Sequence, residues 1–492
     1  MFGQCRRIRV ITMKRLINAA AVAALLLATL LLYFHHLRRN PPGLYLDEAS
    51  IAVNALSIAR DGVDEYGTRT PFYFRAFGEY KNPVYIYLLA GVFKVARPSV
   101  LTARRFSAFL CWLAAVTIGV LAWRITRKRW VTCSVFLLAA LTPAIFEIGR
   151  LVFEVALYPL VIALFLLVVH AASQRARWNA GIVAALVITL ALVEYTYSAG
   201  RMLAPLFAAA VAVIFFTRER LLAIGAMLLL FICTSIVPVL VYNQQTGGGL
   251  LVRASHFNVL ASLWTQPADA VAALERNFVN SLLPVGMVVR GDQNSRHHVP
   301  TSGGSLLAGT VLLAIAGAVL TIRTRPLDRW WTFVLAGTFL SVLPCAIATD
   351  VYHSLRLSSY IVFVLVLSIR ALPAPNLRPL IVSALVLAAL QPFWFFRAFH
   401  RYGPERWDQF NTGLEYVTLA ALPRPERPIY VLGHSYAGAF FYGELNHVPR
   451  DQFAVVSGPE NLPPHSIYIT DGNCPGCEEL ARHHIYSLQR TP

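Results

Sequence analysis

The chain has 492 residues, 57% of them hydrophobic and only 14% charged, with a formal net charge of +18. Soluble domains carry about a quarter charged residues, so the composition excludes an ordinary soluble protein. The positive charge does not indicate nucleic acid. No DNA- or RNA-binding motif appears, and much of the charge sits in short clusters between apolar runs, where membrane topology predicts it. That pattern suits attraction to anionic lipid, with arginines kept for an anionic substrate.

At the N-terminus, Arg6, Arg7, Arg9, Lys14 and Arg15 precede the apolar run Leu16–Phe34. The run is too long for a typical signal core, and Tyr33-Phe34-His35-His36 is no small-residue cleavage site, so it reads as the first membrane span. Val84–Ala96 is apolar but falls short of the roughly 20 residues a bilayer needs, and reads as a re-entrant or interfacial helix. Further runs at 106–123, 130–146, 155–172, 178–193, 202–216, 221–241, 304–322, 330–348, 357–370 and 379–396 predict spanning helices. With Val84–Ala96 not crossing, the arginine clusters at 124–129, 175–177, 218–220 and 323–329 all fall on the side of the basic N-terminus, as the positive-inside rule requires. The expected fold is an all-α polytopic membrane protein of about 11 spans, with the N-terminus cytoplasmic and the C-terminus outside. Residues 1–400 form the membrane domain and 401–492 a small extracytoplasmic α/β domain. No internal repeat is visible, which counts against a two-fold transporter architecture.

In this topology the acidic residues at the ends of apolar runs collect on the outer face. Asp47-Glu48, Asp64-Glu65 and Glu79 lie in a first outer loop, residues 35–105. Glu147, Arg150 and Glu154 follow, then Glu194 and Arg201, then Asp350, His353 and Arg356. A second outer loop, 243–303, carries Gly247-Gly248-Gly249 and the charged stretch Arg290–His298, and at that length is expected to hold short helices over a site. Asp47-Glu48 follows the breaker Pro41-Pro42-Gly43 and precedes an Ala/Ile/Leu pattern, Ala49–Ala59, that reads as an amphipathic helix lying on the membrane. The plainer reading of Asp47 is a helix cap. Arg150 and Glu154 are four apart and are expected to share one helix face, either as site residues or as a surface ion pair. Glu79 with Tyr80-Lys81-Asn82-Pro83 reads as a site or as an interfacial anchor, and His353 and Arg356 as a site or as a cation reaching the headgroups. A carboxylate beside Arg, Lys and His at a membrane surface meets the needs of transfer from an anionic lipid-phosphate donor. Such transfer needs a base for the acceptor proton and positive charge, or a metal, on the departing phosphate.

The order and spacing of these motifs resemble the GT-C superfamily of membrane glycosyltransferases. The matching residues are Asp47-Glu48 after the first span, Gly62-x-Asp64…Tyr66-Gly67, Glu79-Tyr80-Lys81-Asn82-Pro83-x-Tyr85, and a second acidic site about a hundred residues on. The branch most similar is that of protein O-mannosyltransferases and aminoarabinose transferases, glycosyltransferase family 39-like, over roughly residues 40–400. The resemblance implies Asp47 as catalytic base with Glu48 beside it, and Glu154 as the second acid. It implies Glu79, Tyr80, Lys81, Arg150, Tyr197, Arg201, His353 and Arg356 around the donor and its phosphate. It further implies an inverting transfer of a monosaccharide from a polyprenyl-phosphate donor to a protein, lipid or glycan acceptor, at the outer face of a bacterial-type plasma membrane. Lys81-Asn82-Pro83 departs from the Lys-Pro-Pro frequent among relatives, and Glu154 stands where Asp is usual. Metal dependence differs within the superfamily, so a divalent metal ion is left open and no metal ligand is assigned. The competing reading is a transporter or flippase of a lipid-linked or polar solute, which predicts ionisable residues in mid-span.

In the tail, Ile429–Leu432, Phe453–Val456 and Ile467–Ile469 read as strands. Gly433-His434-Ser435-Tyr436-Ala437 imitates a nucleophile elbow, but Ala437 replaces the second glycine and about 90 residues are too few for a hydrolase sheet. It reads as a strand-to-helix turn with Ser435 as cap. Cys474-Pro475-Gly476-Cys477 faces an oxidising compartment in this topology and is expected as a disulfide, with zinc and His483/His484 as the alternative. Cys111, Cys133, Cys233 and Cys345 are expected to be buried thiols.

Overall fold

The protein is represented by a computed structural model that describes residues 2–250, 258–283, 285–349, 352–460 and 462–492, and side chains from residue 18 onward, 260 and 261 excepted. Apolar periodicity dominates the local structure. Helix α1 (Phe2–Phe34) leads into a turn at 35–44, and α2 (Leu46–Asp61) follows. Gly62, at φ +72°, ends α2 with its N–H on the Ile58 carbonyl, a conformation that only glycine adopts readily. Strands β1 (Phe74–Ala76) and β2 (Glu79–Lys81) form an antiparallel hairpin. Its two loop residues, Phe77 and Gly78, both have positive φ, the geometry that matches the strand twist. Pro83 starts α3 (Pro83–Val95) at the first helical position, where its missing N–H is not needed.

The bundle is built from α4 (Val100–Thr126), α5 (Arg129–Ala140), α6 (Pro143–Ile148), α7 (Tyr158–Ser173), α8 (Ala180–Thr196), α9 (Gly200–Ile214), α10 (Leu221–Phe231) and α11 (Val237–Gln245). The helices Ala308–Arg323, Arg329–Leu340, Ser358–Ser368 and Arg378–Tyr402 complete it. Among the residues whose side chains are described, four stretches are long and apolar enough to cross a membrane: Val100–Thr126, Glu154–Ser173, Arg218–Gln245 and Pro375–Tyr402. The other apolar segments found there, Asn18–Phe34 of α1 among them, are shorter. The runs expected at 130–146 and 330–348 are each interrupted, before Pro143 and near Pro344, because proline cannot donate to the preceding turn.

Three expectations are corrected. Helix α2 does not lie on a membrane surface: every residue from Glu48 to Ile58 is buried, and the tail helix Tyr436–Leu445 packs on α2. Arg150 and Glu154 share no helix face, because α6 ends at Ile148 and Glu154 opens a separate 3₁₀ turn, Glu154–Ala156. Of the single cysteines, Cys111 and Cys345 are buried, but Cys233 is exposed. The second outer loop does carry helix, Pro267–Leu282.

The tail holds the three expected strands, β3 (Ile429–Leu432), β4 (Phe453–Val456) and β5 (Ile467–Thr470), plus β6 (Glu478–His483) and β7 (Tyr486–Arg490). They form one sheet in the order β4-β3-β5-β7-β6, with β3 parallel to β4 and β5, and β7 antiparallel to β5 and β6. Ser435 stands at the strand-to-helix turn, but its hydroxyl donates to the Tyr486 hydroxyl at 3.2 Å rather than capping the helix. Cys474 and Cys477 form the disulfide.

Candidate active site

The turn after α1 is held by arginines. Arg104 donates to the carbonyls of Leu37 (3.1 Å), Pro41 (2.8 Å) and Gly43. Arg150 donates to Asn40 O (3.1 Å) and His35 O (2.7 Å), and its guanidinium lies 4.5 Å from the Phe146 ring centroid. Arg406 donates to the Asn40 side-chain oxygen at 3.0 Å. These bonds satisfy carbonyls of the irregular turn, which has no helix or sheet ladder to take them. They fix where α2 starts.

Glu48 locks that start. One carboxylate oxygen accepts the Tyr45 N–H at 2.9 Å, reaching back across the first turn as a capping glutamate does. The same oxygen lies 3.4 Å from Arg104, and the other accepts the Val152 N–H at 2.9 Å. Successive helical residues point about 100° apart, so an inward Glu48 turns Asp47 away from the core. Asp47 faces a cavity, where the Lys81 ammonium pairs with its Oδ1.

The cavity has a volume of about 610 Å³ and gathers Asp47, Glu79, Tyr80, Lys81, Glu154, Tyr197, Arg201, His353 and Arg356 on its walls. Glu79, Tyr80 and Lys81 arrive on β2. The Asn82 backbone N–H donates to Glu154, and the Asn82 side-chain oxygen accepts from Arg201 at 2.6 Å. This gives a physical account of Lys-Asn-Pro: a proline at 82 would lack the N–H that holds Glu154. Arg201 also donates to the Leu250 carbonyl at 2.8 Å.

Two expected site residues are elsewhere, and this corrects the sequence reading. Glu48 is fully buried in the layer behind the wall, and Arg150 is 2% exposed among carbonyls and aromatic rings. Neither lines the cavity. Asp350 lies outside the described residues.

The second outer loop contributes wall residues that were not singled out, Asn294, Arg296 and His297. Arg296 donates to the Tyr45 hydroxyl and stacks 4.5 Å from its ring centroid. Asp292 lies beneath. One of its oxygens accepts from the Ser354 N–H and hydroxyl, each at 2.8 Å, and is 3.1 Å from His297 Nδ1. Burial pushes the Asp292 carboxyl up, but the His297 hydrogen bond and the His297 and His353 charges outweigh it and hold the carboxyl well below its usual range. The only available sequence signal was the density of charge and histidine over 290–298 in an otherwise polar loop.

Asp292, His297 and His353 each offer one ligand atom, all within 4.8 Å of one another. Two imidazoles and a carboxylate suit a borderline divalent cation, so this donor set fits a metal ion at the cavity wall.

No family profile and no curated protein sequence matches the chain. Solved structures do. ArnT from Cupriavidus metallidurans, solved both bound to undecaprenyl phosphate and in the apo state, superposes with a TM-score of 0.61 at 11% identity, over 96% of this chain and 98% of ArnT. The archaeal oligosaccharyltransferase AglB from Archaeoglobus fulgidus, in complex with an inhibitory peptide and a dolichol-phosphate, matches at a TM-score of 0.42 and 13% identity, over 87% of this chain and 64% of AglB, too distant to bear on the fold. The likeness to ArnT spans the helical bundle and the tail together, and the chain shares the fold of that protein.

Proposed function

We propose that this protein transfers a monosaccharide from a polyprenyl-phosphate donor to a hydroxyl of a protein, lipid or glycan acceptor, at the extracytoplasmic face of a bacterial-type plasma membrane. The observation that carries the reading is the pairing of Asp47 with Lys81 in a cavity that also presents Arg201, His353 and Arg356. The ArnT likeness supports it, since that protein was solved with a lipid phosphate bound.

In this mechanism Asp47 takes the proton of the acceptor hydroxyl. The hydroxyl oxygen then attacks the anomeric carbon from the side opposite the phosphate. The bond between that carbon and the phosphate oxygen breaks, the phosphate leaves with the electron pair, and the anomeric centre inverts. Lys81 orients Asp47, Glu154 holds Asn82 and through it Arg201, and Arg356 and His353 face the phosphate charge. Glu79, Tyr80 and Tyr197 shape the sugar subsite. Glu48 and Arg150 act as positioning residues behind the wall. A divalent cation, where bound, would be held by Asp292, His297 and His353, and would supply positive charge near the phosphate.

The membrane arrangement that goes with this reading has about 11 spans, N-terminus cytoplasmic, with a tail domain from about residue 401 outside. The test is turnover of synthetic polyprenyl-phosphate sugars by the purified protein in detergent, with crude membrane extract as acceptor, followed by mass spectrometry. Release of polyprenyl phosphate by wild type, with retained donor binding but little release by Asp47→Asn, supports the class and the base. No consumption across a broad donor panel would sink the proposal.

A further inference from the structure

A second cavity, of about 1030 Å³, opens at the other end of the same helices. Helix α4 measures the separation. Arg104, near its start, bonds the layer behind Asp47, and Arg124, near its end, lines the second cavity. At about 1.5 Å per residue they stand roughly 30 Å apart along the axis, the thickness of a bilayer hydrocarbon core. Helix Ser358–Ser368 shows the same pattern, with Arg356 just before it at the first cavity and Arg370 just after it at the second.

Four guanidiniums line this second cavity: Arg124, Arg127, Arg175 and Arg370. None forms an ion pair among the described residues. The one carboxylate in the lining, Asp328, accepts the Trp331 N–H at 3.1 Å as the cap of helix Arg329–Leu340, which occupies one of its oxygens. Arg370 lies 5.4 Å from the Trp331 ring centroid and donates to the Thr324 hydroxyl at 3.2 Å. Arg124, Arg127 and Arg175 are exposed around the opening, whereas Trp330 and Trp331 are each 4% exposed within the wall. Charge at the mouth and apolar wall behind it is the profile of an amphiphilic anion. The planar guanidinium matches phosphate oxygens in pairs, and tryptophan is favoured at headgroup depth.

We infer that this cavity binds a phosphate-bearing anion, presented as a lipid headgroup, at the membrane face opposite the Asp47 cavity. The site stands apart from the transfer reaction and does not depend on it.

Native mass spectrometry of the purified protein tests it, with phosphatidylglycerol and phosphatidylcholine of identical chains as competing probes. Wild type should retain phosphatidylglycerol preferentially. Arg124→Gln/Arg370→Gln should lower that retention about thirtyfold, as two lost guanidiniums at an anionic surface predict. Arg124→Lys/Arg370→Lys should recover part of it. Arg323→Gln/Arg325→Gln removes the same charge outside the cavity and should leave retention unchanged. Soluble glycerol phosphate separates the sources. Displacement of the lipid by equimolar glycerol phosphate assigns the site to a free phosphate, and persistence of the lipid assigns it to the headgroup. Equal retention of both lipids by wild type, or equal losses in the cavity pair and the control pair, overturns the inference.

Discussion

In the cavity wall, charged side chains meet one another and open onto space, as Asp47 meets Lys81. In the layer behind it, the same residue types are bonded to backbone, as Glu48, Arg104 and Arg150 are. Asp47 and Glu48 are consecutive, so residue type cannot distinguish them. The turn of the helix does, with Glu48 directed at two backbone N–H groups and Arg104, and Asp47 at the cavity. A charge bonded to fixed backbone groups holds the scaffold, and a charge at an open wall can meet a ligand.

The largest expected effect comes from the layer behind. Glu48→Ala leaves Arg104 buried without its carboxylate, and truncating one member of a buried pair costs about 3–5 kcal/mol. The thermal midpoint of the detergent-solubilised protein should fall well below that of wild type. A midpoint equal to wild type would erase the distinction between the two regions.

Asp47→Asn should do the reverse. Turnover of a polyprenyl-phosphate sugar falls by about a hundredfold or more, as loss of a general base predicts, while the midpoint stays near wild type. A loss of stability matching that of Glu48→Ala would assign Asp47 to the scaffold.

Asn82 sharpens the boundary between the regions, because its backbone serves Glu154 and its side chain serves Arg201. Asn82→Ala keeps the N–H, whereas Asn82→Pro removes it and leaves the half-buried Glu154 carboxylate short of a donor. Proline should therefore lower both turnover and midpoint further than alanine. Equal effects would show that the N–H is dispensable.

The smallest effect is a pH dependence at the junction with the tail. Glu65 accepts from Asn54 at 3.0 Å, and its other oxygen is buried without a hydrogen bond. Burial raises its pKa from 4.5 to about 7, against the opposing hydrogen bond of Asn54. The folded state thus binds this proton more tightly than the unfolded chain. The contribution is complete below the unfolded pKa and is lost as pH rises through about 7. Glu65→Gln should flatten the decline in thermal midpoint between pH 5 and pH 8, and an unchanged slope would exclude Glu65 as its source.

Much of the wall was legible because its residues fall at the ends of apolar runs. Asp47, Glu154, Arg201, His353 and Arg356 each stand where a hydrophobic stretch stops, and a charge at such a boundary has to face water, headgroups or a partner. Arg150 misled because spacing of four implies a shared face only while the helix continues, and here it ends at Ile148. The amphipathic reading of α2 failed for a related reason. The tail helix Tyr436–Leu445, roughly four hundred residues away in sequence, packs on it, and no local pattern records that packing.

The sequence by itself determined the apolar helices, the broken turn at Pro41-Pro42-Gly43, the tail strands and the boundary placement of the charged residues, because hydrophobic periodicity and proline chemistry act over a few residues. Only the tertiary structure decided that Asp47 faces the cavity while Glu48 locks the scaffold, and that the 292–297 loop completes the wall. It also decided that the two cavities lie toward opposite ends of shared helices. Those outcomes depend on which distant backbone groups are left without hydrogen-bond partners when the helices pack, a property of the assembled bundle that no single segment contains.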